Sequence, residues 1–60
     1  MKYVVKDHTE QKLYEFSWFK EAQEFFYNYR HNNSMNHITL LKSVWDSTEE
    51  GTVIATYYPD

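Results

Sequence analysis

Three histidines are the residues of this 60-residue chain best suited to bind a metal or move a proton near neutral pH. His8 falls in a predicted turn, His31 at a predicted helix end and His37 at a predicted strand start, and their spacing matches no metal-binding motif. The local group Asp7-His8-Thr9-Glu10 reads as a solvated turn. General acid–base chemistry needs two carboxyls with separated pKa values, and the candidates are Glu21 with Glu24 and the pair Glu49-Glu50. Neither stands in an apolar setting that would raise one member, so both read as solvated faces. A Ser or Thr nucleophile needs a poised base and an oxyanion pocket. The single glycine, Gly51, leaves no strained elbow for such a nucleophile and no loop to cradle a phosphate. A domain of one helix and one sheet rarely forms the pocket of about 300 Å³ that a substrate needs. The expectation is a chain that is not an enzyme, with no catalytic residue, no cofactor and no metal ligand.

What positions such residues is constrained first by size. A chain this short buries only ~60% of the surface that its unfolded form exposes, so it has room for one domain of marginal stability. It has no cysteine, which excludes disulfide staples and thiolate metal clusters and suits a reducing compartment. Aromatic residues make up 20% of the chain, and each ring can bury roughly 150–250 Å². That content compensates for the shortness of the chain. The net charge is −3, and the basic side chains are interspersed with acids, which argues against general phosphate-backbone binding. No apolar run approaches the ~20 residues that cross a bilayer, and the start, Met1-Lys2-Tyr3-Val4-Val5-Lys6-Asp7, lacks the apolar core of a signal peptide. A cytoplasmic protein is expected. The richness in Tyr, Asn and Lys is similar in composition to small phage or mobile-element proteins of low-GC bacteria, and no motif accompanies that likeness.

Periodicity supplies the elements. Lys2-Tyr3-Val4-Val5-Lys6 and Lys12-Leu13-Tyr14-Glu15-Phe16 are β-branched and aromatic and flank a polar turn, which predicts a hairpin. Pairing Lys6 with Gln11 sets Tyr3 opposite Tyr14, Val4 opposite Leu13, and Lys2 opposite Glu15 as a cross-strand charge pair. Ser17 is the predicted N-cap of a helix running to about His31, with Trp18, Phe19, Ala22, Phe25, Phe26 and Tyr29 on one stripe. Asn32 or Asn33 would supply a left-handed stop. A second hairpin joins Ile38–Trp45 to Thr52–Tyr58 with Gly51 at the return. Pairing Trp45 with Thr52 places Ile38, Leu40, Val44, Val53, Ala55 and Tyr57 on the helix face. The predicted fold is α+β: ββαββ, a four-stranded antiparallel sheet in the order 2-1-3-4 with one amphipathic helix packed on one face.

One helix cannot shield both faces of that sheet. Val4, Leu13, Leu41, Trp45, Ile54 and Tyr58 would point away from it, and an exposed apolar patch of this kind marks an interface. Tyr27, at the centre of the polar helix face, is a further candidate contact, although a lone exposed Tyr is unremarkable. The function expected is that of a small protein-binding module, self-associating as a homodimer and acting by occupying another protein. Two contrasting readings remain open. In one, Asp46, Glu49, Glu50 and Asp60 imitate nucleic acid before a basic partner groove. In the other, Tyr3, Trp45 or Tyr58 stack on single-stranded bases, without the positive groove that usually accompanies such platforms.

Overall fold

The computed structural model describes residues 2–43 and 51–59. Its elements are β1 (Lys2–Asp7), β2 (Lys12–Phe16), α1 (Phe19–Asn32), β3 (Ile38–Ser43) and β4 (Gly51–Tyr57). The four strands form one antiparallel sheet in the order β2-β1-β3-β4, with α1 on one face, so the ββαββ architecture and its strand order are those the sequence predicts.

The first hairpin pairs Asp7 with Lys12, Val5 with Tyr14 and Tyr3 with Phe16, two residues from the expected register. Asp7 is the cause. Its carboxylate is fully buried and accepts from the backbone amides of Thr9 and Glu10 at 2.9 and 3.0 Å, so the turn begins one residue later than polarity alone suggests. A shift of two leaves every side chain on its predicted face. Lys2 still reaches Glu15 at 3.3 Å, diagonally, because the direct partner of Glu15 is Val4. The turn closes through Gln11, whose φ of 57° lies in the left-handed region.

Ser17 is not the helix cap. Trp18 occupies that position with extended dihedrals and no capping side chain, which takes it off the helical stripe and leaves it 67% exposed rather than in the core. Ala22 and Phe26 form the buried face of α1, with Phe25 and Tyr29 half-buried beside them. The helix stops without a left-handed residue: Asn33 has φ −130°, and both its backbone N–H and its Nδ2 donate to the carbonyl of Tyr29. The core is Val5, Ala22, Phe26, Ile38 and Leu40. A rim of rings closes it, with Phe25 centred 4.7 Å from Tyr14, 5.0 Å from Phe16 and 5.4 Å from Tyr29.

The second hairpin departs further from expectation. Leu40 pairs with Ala55 but Leu41 pairs with Val53, so Ile54 is an extra residue on β4 and forms a bulge. Ala55 and Tyr57 keep their places around the core, whereas Val53 is moved to the face of Leu41 and is 58% exposed. Val44, the other core residue expected here, lies outside the described residues. Gly51 is required by close approach, since a Cβ there would collide with the backbone carbonyl of Lys42.

Candidate functional site

Asp7 is the most heavily bonded side chain described. Its Oδ1 receives the two turn amides, and its Oδ2 receives the hydroxyl of Tyr29 at 2.6 Å and Nδ2 of Asn36 at 2.9 Å. It therefore joins the β1–β2 turn, the last turns of α1 and the segment leading into β3. Burial by itself raises its pKa, but the bonds from Tyr29, Glu10, Asn36 and Thr9 outweigh that and hold it below the ordinary carboxylate value. Burial, followed by the hydrogen bond to Asp7, raises the pKa of the Tyr29 phenol. Four donors occupy the capacity of the two oxygens, so Asp7 has no lone pair free to act as a base. Its role is structural. The sequence reading of Asp7 as part of a solvated turn is corrected by its complete burial.

Strand alternation turns Thr39 away from the core residues Ile38 and Leu40. Nε2 of His8 lies 2.9 Å from the Thr39 hydroxyl, and the His8 ring stacks on His37 at 4.3 Å. His37 stacks in turn on Tyr58 at 4.4 Å. Two histidines distant in sequence thus become neighbours, fastened by the His8 amide on the His37 carbonyl and the His37 amide on the Thr9 hydroxyl. Sequence spacing could not show this, because the contact depends on the β1–β3 pairing. Nε2 of His37 is buried without a hydrogen-bond partner among the described residues. Although His8 is exposed as a residue, His37 covers one face of its ring. That desolvation, then the charges of His37 and Lys6, lower its pKa against the opposing pull of Asp7. Among the described residues no three His, Cys, Asp or Glu side chains converge as metal ligands would.

The predicted interface residues separate. Val4 and Leu41 lie on the face away from the helix but are 0% and 6% exposed. They sit on the two central strands, flanked by Glu15 and Val53, and present almost no surface to a partner. Leu13, Ile54 and Tyr58 are exposed, with Leu13 on the opposite edge strand from Ile54, and Tyr58 just beyond the end of β4. Trp45, Asp46, Glu49, Glu50 and Asp60 lie outside the described residues. Tyr3 is half-buried on the helix side against Phe19, which removes it as a base-stacking platform.

Tyr27 is half exposed and lines an open groove of about 400 Å³ with Arg30, His31, Ser34 and Tyr57. A concavity of that size was not expected of so small a domain. It lies between the last turns of α1 and Tyr57 of β4, with the Arg30 guanidinium 5.2 Å from the Tyr27 ring centre and 5.5 Å from that of Tyr57. The Tyr57 hydroxyl donates to the Ser34 carbonyl at 2.8 Å and fixes the far wall.

No family model, curated protein or solved structure matches the chain. No helix among the described residues is long and apolar enough to cross a membrane.

Proposed function

We propose that the chain is a small non-catalytic protein-binding module that self-associates through β4 and acts by occupying another protein. The observation that carries this reading is the character of the β4 edge. From Gly51 to Tyr57 it holds no charged residue and no proline, and its first four residues are exposed. Among the described residues no strand pairs with its outer side. The opposite edge, β2, carries Lys12 and Glu15, the kind of charges that deter strand addition. On β4 the bulge at Ile54 is the one such device, and Val53, Ile54 and Tyr58 offer apolar surface beside it.

A second copy fits this edge because two identical antiparallel strands pair across a two-fold axis with every contact made twice. The expected sheet-face interface of Val4, Leu13, Leu41, Trp45, Ile54 and Tyr58 is narrowed here to the β4 edge, since Val4 and Leu41 are buried. A cysteine-free chain suits a reducing interior such as cytoplasm, and a phage or mobile-element setting is supported by composition alone.

Sedimentation at tens of micromolar tests the reading. The wild-type chain is expected to sediment as a dimer, and Ile54→Lys as a folded monomer, because Ile54 is 42% exposed and outside the core cluster. Val53→Lys, at 58% exposure, provides a second variant with the same expected result. A wild type that stays monomeric at these concentrations would refute self-association.

A further inference from the structure

We infer that the groove between the end of α1 and β4 is an oxyanion-binding site that takes a phosphate group, as inorganic phosphate or as a phosphomonoester. It is lined by Tyr27, Arg30, His31, Ser34 and Tyr57, and its volume of about 400 Å³ falls within the range of small-ligand pockets, ~300–1,000 Å³. Tyr27, Arg30, His31 and Ser34 each have a donor to offer, Tyr57 having given its hydroxyl proton to the Ser34 carbonyl, and none of the five is a carboxylate. In a chain of net charge −3 that local balance is unusual.

Arg30 decides the ligand class. Its guanidinium lies 5.2 Å from the Tyr27 ring centre and 5.5 Å from that of Tyr57, contacts that restrict the side chain without using its N–H donors. Among the described residues no carboxylate or carbonyl accepts from it, although Lys2 and Lys12 both have acid neighbours. The hydroxyls of Tyr27 and Ser34 and the ring of His31 are likewise without a protein partner among those residues. A preoriented guanidinium fork is the donor geometry that binds phosphate or carboxylate in bidentate fashion. The additional donors favour the tetrahedral, oxygen-rich phosphate over a planar carboxylate. The negative pole of α1 opposes an anion here, but the Tyr29 carbonyl is already capped twice by Asn33. The ligand group is placed at the N–H edge of the Arg30 guanidinium, whose faces are turned to the two rings. The inference is independent of β4 pairing, because the groove lies between α1 and β4, on the core side of the strand.

Amide and arginine side-chain NMR spectra of the intact chain, titrated with sodium phosphate against sodium chloride of matched ionic strength, test this. Saturable shifts are expected at Tyr27, Arg30, His31, Ser34 and Tyr57 with phosphate and not with chloride. Phenyl phosphate and acetate form the comparison arms: phenyl phosphate binding more tightly than inorganic phosphate identifies a phosphomonoester, equal binding identifies the free anion, and acetate binding as well as phosphate overturns the assignment of class. Arg30→Gln should weaken phosphate binding at least tenfold while preserving spectral dispersion. Arg30→Lys keeps the charge but loses the fork, and it should also weaken binding severalfold. Shifts that follow ionic strength alone, or affinity unchanged in both variants, would overturn the site. Should Arg30→Gln fail to fold, Arg30→Lys alone decides it.

Discussion

Asp7 accepts four hydrogen bonds from three separate parts of the chain, and that makes it the residue on which the geometry most depends. Asp7→Asn preserves volume but replaces one acceptor oxygen with an NH₂ that must face two donors. The expected loss is about 2–3 kcal/mol, the scale of a broken charge-assisted bond with buried groups left unpaired. In a domain of this size that lowers Tm by roughly 10–20 °C. A thermal melt within 5 °C of wild type would show that the hub does not hold the turn. Titration gives a second residue-scale outcome. The folded-state pKa of His8 is depressed, so the unfolded chain takes up the proton first. Its contribution is complete above the ordinary value of 6.5 and is lost as pH falls from there towards the folded-state value. Asp7, also depressed, loses its contribution only as pH falls below 3.8. The urea midpoint should therefore be lower at pH 5.5 than at pH 7.5, and His8→Gln should reduce that difference. An undiminished difference in His8→Gln assigns the effect to other groups. Neither role was legible in the sequence, where Asp7 and His8 are two polar residues in a turn. Their partners Tyr29, Asn36, His37 and Thr39 arrive only with the tertiary fold.

Element existence was legible, and the reason is periodicity. Ala22, Phe26 and their half-buried neighbours Phe25 and Tyr29 recur at helical spacing, and the strands alternate, so the ββαββ order follows from patterns that survive any exact boundary. What failed were features set by single backbone events. The Ile54 bulge inverts Val53 and no hydropathy pattern announces it. The extended Trp18 removes from the core a ring that the helical wheel places there. Phe26, at 3% exposure, is now the better probe of the helix–sheet contact than the half-buried Phe25. Phe26→Ala is expected to cost about 3–5 kcal/mol through lost transfer energy and the cavity left behind. A core of this size supplies no more than about 3–5 kcal/mol in all, so the variant should be largely unfolded by circular dichroism at 25 °C. Trp18→Ala should change stability by less than about 0.5 kcal/mol, as a surface substitution. A reversal of these two results would mean that α1 is rotated about its axis.

At the scale of the whole molecule, a 60-residue chain whose described core cluster is Val5, Ala22, Phe26, Ile38 and Leu40 sits near the lower limit of independent stability. Pairing β4 with its copy would extend the sheet from four strands to eight and withdraw Val53 and Ile54 from water, so association and folding become linked equilibria. Linkage has a signature that a monomer lacks. When a dimer melts to two unfolded chains, a tenfold rise in protein concentration adds about 1.4 kcal/mol to the stability of the dimer. At about 2.1 cal/mol/K per residue over two chains, that corresponds to an increase in Tm of roughly 5 °C. Calorimetric scans at 20, 200 and 600 µM should therefore give a rising series for the wild-type chain, and Ile54→Lys should melt at one temperature throughout, below the wild type at the highest concentration. The same scans separate pairing from mere crowding of apolar surface, because aggregation makes Tm depend on scan rate whereas reversible pairing does not. A wild-type Tm that is flat across this range, in scans that repeat on reheating, would leave β4 as a dock for a different chain and end the case for self-association.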